Sequence, residues 1–244
     1  MPPLEPYRQT LDYTYALGLY PALEALSRAP QRVRRVLLGT RIHEDAAYQK
    51  LISLCGQHRI RTETADRLLR RLSGKDNCFA AAVVEKAGEA LRDDAPRHLV
   101  LHQPADAGNA GTILRTALGF GYLDIAIIPP AVDIFDPHVI RASMGALFSL
   151  RLRFFDSMES YLSQNPGRSL FLFMLDGSLP LQEAVSSAPS APLSLVFGNE
   201  GSGLPAAFAS LGTAVRIEQS KAIDSLNLAV AAGIGMHAFR QIEG

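Results

Sequence analysis

The sequence has few cysteines, no long apolar run and no excess of charge of either sign, and each absence excludes a class of protein. Its two cysteines, Cys55 and Cys78, lie far apart in a chain of 244 residues, which predicts free thiols in a reducing, cytoplasmic compartment. No apolar run reaches the roughly 18 residues of a membrane span. Residues 1–5 lack the basic start and apolar stretch of a secretory signal. We therefore expect no membrane partner.

Motifs for metals and nucleotides are also missing. The six histidines show no paired ligand spacing with cysteine or carboxylate side chains, so we expect no metal site. No G-x-G-x-x-G opens a helix after the first strand of the second half, and no G-x-x-x-x-G-K-[ST] phosphate loop occurs. A nicotinamide-dependent dehydrogenase would therefore be supported by α/β topology alone.

The charge balance is zero overall but uneven along the chain. Residues 28–75 carry 12 basic and 4 acidic residues, a surplus of eight positive charges that is mostly arginine. A charged stretch is usually a solvated face, and a zero total argues against a simple basic coat for nucleic acid. The size of the local surplus nevertheless favours a polyanionic partner.

Residues 1–92 are predicted to form a small α/β domain. The spacing of leucines between residues 10 and 29 indicates helix, which Pro21 divides in two. The remaining pattern is βαβαβ. Its strands are predicted at 33–39, 60–64 and 78–84, and its helices at 43–58 and 65–72. The polar, turn-prone residues 87–97 separate this domain from a second one at 97–244.

The second domain alternates strands and helices. Strands are predicted at 98–102, 124–128, 150–154, 169–175, 193–197 and 214–217. Helices are predicted at 109–120, 137–147, 157–163, 181–187, 205–210 and 225–240. Because several strands are continuous apolar runs, they predict a parallel sheet covered on both faces.

A glycine-rich loop follows the strand predicted at 193–197. It reads Phe197-Gly198-Asn199-Glu200-Gly201-Ser202-Gly203, with Glu200 as its only acidic residue. Glycines let the backbone turn tightly and approach a ligand closely. Taken alone, the loop is equally explained as a tight connection between a strand and a helix.

Two further stretches stand out at predicted helix starts. In the first, Asn109 is a candidate N-cap and Arg115 projects near the carboxyl edge of the sheet, where it could serve a ligand or a structural salt bridge. In the second, Ser225 is a candidate N-cap and Asn227 lies in the first turn. The small residues that follow indicate a core helix or a subunit contact.

These three stretches, in this order, resemble the motifs of the SpoU-type RNA ribose 2′-O-methyltransferases of the SPOUT superfamily, over roughly residues 97–240. The resemblance implies a C-terminal trefoil knot, a homodimer and an N-terminal RNA-binding domain. It implies the catalytic residues Asn109, Arg115, Glu200, Ser225 and Asn227. It also implies a cup for S-adenosylmethionine formed by the loops 197–203 and 217–228, with contacts from Phe197, Gly198, Asn199, Gly201, Gly203, Ile217, Leu226 and Asn227.

The expected function is therefore methyl transfer from S-adenosylmethionine to a ribose 2′-hydroxyl of structured RNA, either rRNA or tRNA. In the basic domain, Arg67, Arg70 and Arg71 are the candidate RNA phosphate contacts. The alternative is an inactive RNA-binding or ribosome-assembly protein on the same fold. Many relatives have a proline and a glycine where this chain has Glu218 and Lys221, so the path of residues 218–224 stays open.

Overall fold

A computed structural model describes residues 4–190 and 192–240 of the chain. The chain divides into two compact units. The first contains the described part of residues 1–87 together with 133–149, and the second contains residues 88–132 and the described part of 150–244. Segment 133–149 thus groups with the first unit, although it follows the start of the second in sequence. No helix among the described residues is long and apolar enough to cross a membrane.

The helices and strands alternate through most of the chain. The elements up to residue 85 are β1 (Tyr13–Leu17), α1 (Leu19–Arg28), β2 (Val33–Leu38), α2 (Ala46–Gln57), β3 (Thr62–Thr64), α3 (Asp66–Ser73) and β4 (Ala80–Glu85). The later elements are β5 (Arg97–His102), α4 (Ala107–Gly119), β6 (Asp124–Ile128), α5 (Pro137–Ala142), β7 (Arg151–Phe154), α6 (Met158–Gln164), β8 (Ser169–Phe173), β9 (Leu179–Pro180), α7 (Leu181–Ser186), β10 (Leu193–Phe197), β11 (Thr213–Arg216) and α8 (Leu228–Phe239).

The first unit is built on a four-stranded sheet of order β1-β4-β2-β3, in which β4 is antiparallel to both β1 and β2. The predicted βαβαβ pattern is present from β2 to β4. The prediction of helix throughout 10–29 is wrong, because Tyr13–Leu17 is a fully buried strand paired with β4. The leucine spacing that suggested helix belongs partly to α1. Pro21 lies in the first turn of that helix, where its missing N–H costs nothing.

The second unit is built on a seven-stranded sheet of order β7-β6-β5-β10-β8-β11-β9. Every neighbouring pair is parallel. The central strands β6 and β10 are buried along their whole length, as expected for strands covered on both faces. The predicted parallel α/β architecture is confirmed.

Neighbouring strands β5 and β10 position the candidate site. They are parallel and in register, with Leu101 opposite Phe197 at their carboxyl ends. The connection from β5 to α4 and the glycine-rich loop after β10 therefore leave the sheet side by side. Ligands of open α/β sheets bind at such an edge, where strands adjacent in space are distant in sequence.

Two further element predictions need correction, and one short strand was not predicted. The predicted helix 137–147 ends at Ala142, because Met144 and Gly145 have left-handed φ values of 53° and 83°. A 3-10 helix, Ala146–Ser149, follows it. The helix predicted at 205–210 is also a 3-10 helix, Ala206–Ser210. The two-residue strand β9 was not predicted, since so short a segment has no readable periodicity.

The small residues of α8 serve the core of the second unit. A Cβ atom at Gly235 would lie 2.6 Å from Cζ of Phe173 and 2.9 Å from Cζ of Phe197, so the glycine admits two aromatic rings. Those rings are stacked, with centroids 4.2 Å apart. The sequence indicated either a core helix or a subunit contact, and at Gly235 the helix packs in the core. On the same helix, Val230 and Ile234 are 52% and 37% exposed.

Candidate active site

The first turn of α4 forms one wall of the candidate site. Its N-cap is Asp106, whose Oδ1 accepts a hydrogen bond from the backbone N–H of Asn109 at 2.7 Å. The prediction that Asn109 is the N-cap is therefore wrong by one turn. Since Asp106 caps the helix, the side-chain amide of Asn109 is available for longer-range contacts.

Glu200, in the glycine-rich loop, is bound to this helix start by three donors. The backbone N–H groups of Ala105 and Asp106 donate to its Oε2 and Oε1 at 3.0 and 3.1 Å. The side-chain amide of Asn109 donates to Oε1 at 3.3 Å. Burial alone would raise the pKa of Glu200, but these hydrogen bonds hold it below the usual value. Glu200 is thus an anchored carboxylate.

Asn227 connects the same cluster to the last helix. Its Oδ1 accepts from the backbone N–H groups of Ala229 and Val230 at 2.9 and 3.3 Å, so Asn227 is the N-cap of α8. Its Nδ2 donates to Oδ1 of Asn109 at 2.9 Å. The prediction that Ser225 caps this helix is therefore wrong. Glu200, Asn109 and Asn227 form one hydrogen-bonded chain drawn from all three motifs.

The glycine-rich loop is held in shape by Asn199. Its Oδ1 accepts from the N–H groups of Gly201 and Ser202, and its Nδ2 donates to the carbonyl of Gln103 at 2.9 Å. A Cβ atom at Gly198 would lie 2.2 Å from the carbonyl carbon of Gly203. Only glycine fits position 198, because the loop closes on its own backbone there.

A cavity of about 410 Å³ lies between this loop and the residues before α8. Of the predicted cofactor residues, seven line it: Phe197, Gly198, Asn199, Gly201, Gly203, Ile217 and Leu226. The eighth, Asn227, is not in the lining, although Ser225 and Glu200 are. The sequence did not predict the wall formed by the end of β8 and the residues that follow it, which includes Phe173 and Asp176. The end of the apolar run at 170–175 was the available signal.

The composition of this cavity suits S-adenosylmethionine. A volume of a few hundred Å³ is typical of cofactor sites. Apolar side chains such as Ile217 and Leu226 can pack on a purine ring, and the backbone of the glycine-rich loop is close enough to hydrogen-bond polar groups. The carboxylate of Asp176 adds a negative charge to the wall, which suits a ligand that carries a sulfonium cation.

The segment 218–224, whose path the resemblance left open, is held by hydrogen bonds between its own residues. Nε2 of Gln219 donates to the carbonyl of Asp224 at 3.2 Å, and Oγ of Ser220 accepts from the N–H of Ala222 at 3.2 Å. Gln219 also lines the cavity. The loop therefore reaches the cavity through Gln219, a residue that the sequence motifs did not single out.

Arg115 lies in α4, two turns beyond Asn109, and is exposed. Its guanidinium forms no hydrogen bond or salt bridge with any residue in the described ranges 4–190 and 192–240. The structural salt bridge that the sequence left open is thus not present within the described chain. The planar donor fork of Arg115 is free to bind an anionic ligand.

The basic stretch of the first unit is less positive in space than in sequence. Arg34 pairs with Asp12 at 2.7 Å and with Glu85 at 3.0 Å, both of which lie outside residues 28–75. Arg35 pairs with Glu63 at 3.0 Å, a carboxylate that the surplus of eight already counts. Part of the surplus of eight positive charges is therefore neutralised by acidic neighbours.

The three arginines predicted to contact RNA have different surroundings. Arg70 pairs with the exposed Asp76 at 3.0 Å, and Arg71 donates to the carbonyl of Leu4. Arg67 is exposed, and its guanidinium forms no hydrogen bond or ion pair within the described residues. No group of three or more His, Cys, Asp or Glu side chains within the described residues could hold a metal ion.

Comparison with known proteins supports the resemblance. The sequence model of the SpoU rRNA Methylase family matches residues 96–237. An uncharacterised tRNA/rRNA methyltransferase of Synechocystis is 34% identical over 146 residues, which are 59% of this chain and 52% of that protein. The 23S rRNA (adenosine(1067)-2′-O)-methyltransferase of Streptomyces laurentii is 33% identical over 171 residues, 67% of this chain and 62% of that protein. This chain therefore spans roughly half to three-fifths of both relatives.

Solved structures show the same fold. The S-adenosylmethionine-bound rRNA methyltransferase of Sinorhizobium meliloti superposes with a TM-score of 0.79 over 94% of this chain and 87% of that one, at 24% identity. The superposed residues come from both units of the chain and extend beyond residues 96–237, the region that the family model matches.

Proposed function

The chain belongs to the SpoU rRNA methylase family, and from that membership we propose that it methylates a ribose 2′-hydroxyl of structured RNA, with S-adenosylmethionine as methyl donor. The observation that carries the proposal is the chain of hydrogen bonds from Glu200 through Asn109 to Asn227 beside the cavity. All three family motifs meet in that chain. The RNA is rRNA or tRNA, the two classes named for the relatives.

When bound, S-adenosylmethionine supplies an electrophilic methyl group. Phe197, Ile217 and Leu226 provide apolar walls for it, and Gly198 lets the loop backbone come close. Glu200 is a positioning residue in this proposal. Both of its oxygens already accept hydrogen bonds and its pKa is lowered, so it holds the start of α4 against the loop.

Arg115 is proposed to bind the RNA. Its exposed guanidinium has no partner within the described residues and carries a fixed positive charge. A phosphate next to the target nucleotide would accept two parallel hydrogen bonds from it. That contact orients the ribose hydroxyl and favours the negative charge that develops on its oxygen.

Residues 1–92 are proposed as the RNA-binding domain and 97–244 as the methyltransferase domain, in a cytoplasmic protein. The remaining positive surplus of residues 28–75 supports RNA binding through phosphates, with Arg67, Arg70 and Arg71 as contacts. Because such binding releases counterions, it should weaken steeply with salt. Unchanged RNA affinity after all three arginines are replaced by glutamate would contradict this assignment.

A trefoil knot is proposed for the second unit. It is supported by a sheet in which β10 lies between β5 and β8 and β11 lies between β8 and β9. A crystal structure in which the last helix does not pass through a loop would overturn the proposal.

A homodimer is proposed through α8 and the segment 137–147. It is supported by the exposed Val230 and Ile234, which lie one turn apart on α8. Light scattering at micromolar concentration should give twice the mass of one chain. A monomer would contradict the dimer.

The proposed function is tested by methyl transfer from radiolabelled S-adenosylmethionine to total rRNA and tRNA, followed by mass mapping of ribose methylation. Calorimetric titration with the cofactor distinguishes an active methyltransferase from an inactive RNA-binding protein on the same fold. An active enzyme binds S-adenosylmethionine and transfers its methyl group, whereas an inactive RNA-binding protein does neither. Absence of binding at millimolar cofactor would favour the latter.

A further inference from the structure

A groove of about 150 Å³ lies at one edge of the sheet of the first unit. It is formed by the turn after β2, which carries Thr40 and Arg41, and by the turn between α3 and β4, which carries Lys75 and Asp76. Phe79 forms part of its wall. The groove is lined by three basic and two acidic side chains, a net charge of one positive unit: Arg41, Arg70 and Lys75 against Asp66 and Asp76.

The acidic side chains of the groove are engaged in holding its shape. Oδ1 of Asp66 accepts from the backbone N–H of Thr40 at 2.9 Å. Asp76 pairs with Arg70 through its carboxylate at 3.0 Å, and its backbone carbonyl accepts from Arg41 at 3.3 Å. The ammonium group of the exposed Lys75 forms no hydrogen bond or ion pair within the described residues.

Arg41 is held as a flat platform. Its guanidinium carbon lies 5.2 Å from the centroid of the Phe79 ring, and the hydrogen bond to Asp76 fixes it from the side. The Arg41 side chain is exposed, so the guanidinium that lies over the Phe79 ring is accessible to a ligand from solvent. Unpaired RNA bases stack on such arginine planes and on aromatic rings.

A second flat side chain lies at the same edge of this sheet. Gly18 and Gly39, at the ends of β1 and β2, donate hydrogen bonds to the carbonyls of Ala80 and Phe79. Tyr20 follows Gly18 in the first turn of α1 and is 57% exposed. The edge therefore carries exposed groups suited to bases as well as groups suited to phosphates.

We infer that this groove binds an unpaired nucleotide of the RNA, with the base stacked on Arg41 above Phe79 and a flanking phosphate contacted by Lys75. This deepens the proposed function and rests on its assignment of RNA binding to the first unit. RNA recognition by the first unit then requires a single-stranded segment, such as a loop, in addition to the phosphate charges of a duplex.

The test uses the full-length protein and the variant Arg41→Lys, which keeps the positive charge and removes the plane. Fluorescence anisotropy is measured with a short unstructured RNA and with the same strand annealed to its complement. The variant should bind the single strand about 5- to 150-fold more weakly, the range for loss of one stacked base, and should bind the duplex as the parent does. Arg8→Lys, an identical change at an exposed arginine outside residues 28–75, is the matched control and should leave both affinities unchanged.

Equal affinity of Arg41→Lys and the parent for the single strand would overturn the inference, as would an equal loss for single strand and duplex. Cys78 in the groove gives a second readout, because bound single strand should slow its alkylation. An unchanged rate would place the RNA elsewhere. If the parent transfers no methyl group but Arg41→Lys lowers its single-strand affinity, the proposed function is contradicted and the groove is supported. If the parent transfers a methyl group but Arg41→Lys leaves its single-strand affinity unchanged, the proposed function is supported and the groove is contradicted.

Discussion

The side-chain amide of Asn227 donates a hydrogen bond of 2.9 Å to the side-chain oxygen of Asn109, 118 residues earlier in the chain. Asn227 is at the same time the N-cap of α8. One side chain thus performs a helix-capping role with its oxygen and a site-organising role with its nitrogen. The two roles can be separated because aspartate shares the oxygen and lacks the nitrogen donor.

Asn227→Asp should keep most of the stability and lose activity. Aspartate is as good an N-cap as asparagine, whereas alanine at an N-cap costs about 1 kcal/mol. We therefore expect urea unfolding to show a loss in Asn227→Ala and little change in Asn227→Asp, while both variants lose methyl transfer. A fully active Asn227→Asp would show that the contact with Asn109 is dispensable.

Gly198→Ala should abolish S-adenosylmethionine binding. The added Cβ would lie 2.2 Å from the Gly203 carbonyl carbon and 2.5 Å from the Leu204 nitrogen, so the loop backbone would have to move. Gly201→Ala is the control in the same loop, because its Cβ would meet only Oδ1 of Asn199 at an ordinary 3.5 Å. Calorimetry should show a much greater loss of affinity at 198 than at 201, and similar losses would contradict the close approach.

Two glycines of α8 should respond in opposite directions to alanine. At Gly233 the nearest atom to an added Cβ is Cγ2 of Thr116 at 3.6 Å, so the higher helix propensity of alanine should stabilise by up to about 1 kcal/mol. At Gly235 the Cβ would overlap Phe173 and Phe197, and overpacking should cost about 1–3 kcal/mol. Urea unfolding of the two variants measures both signs, and a stabilised Gly235→Ala would contradict the packing.

The buried His98 should make the protein less stable as pH falls. Burial and the nearby Arg168 lower the pKa of His98 from 6.5 to about 4 in the folded chain. The folded state therefore resists protonation, and stability present above pH 6.5 is lost between about pH 6.5 and pH 4, by up to about 3 kcal/mol. Unfolding free energies at pH 7 and pH 5 should differ less in His98→Gln than in the parent. His58→Gln, at an exposed position, should leave the difference unchanged, and equal pH dependence in all three proteins would refute this account.

The sequence predicted the sheet of the second unit well and the first strand of the chain poorly. Strands 124–128 and 193–197 were predicted with their observed bounds, because continuous apolar runs between turn residues have few other interpretations. At β1, Tyr13–Leu17 is buried by pairing with β4, a contact between residues about seventy apart that no local pattern contains. The leucines in and near β1 were taken together with those of α1, and their combined spacing suggested a single helix.

The candidate site shows the same limit. Family motifs identified Asn109, Glu200 and Asn227, yet local capping rules assigned the wrong N-caps, Asn109 in place of Asp106 and Ser225 in place of Asn227. Several residues near a helix start can cap it, and only the folded loop decides which one does. The Glu200–Asn109 contact spans 91 residues, so its existence depends on the adjacency of β5 and β10.

Arg115→Lys should be severely impaired in turnover while still binding S-adenosylmethionine. A protonated guanidinium has no free lone pair, so Arg115 is a poor candidate for the base that removes the hydroxyl proton. Gripping a phosphate with two parallel hydrogen bonds requires the planar fork, which lysine lacks. Because the cavity lining does not include Arg115, cofactor affinity should be unchanged.

The pH dependence of turnover distinguishes a positioning arginine from a base. If Arg115 positions the RNA, single-turnover rates of the parent show no pH dependence between about pH 9 and 11 that disappears when Arg115 is replaced. Arg115→Lys then shows a lower rate at every pH and a raised KM for RNA. An active Arg115→Lys whose rate rises with a new pKa near about 10.4, the value for lysine, would show that position 115 accepts the proton after all. Thr112→Ala, at an exposed position on the same helix, is the control for nonspecific damage to α4 and should keep the pH profile of the parent.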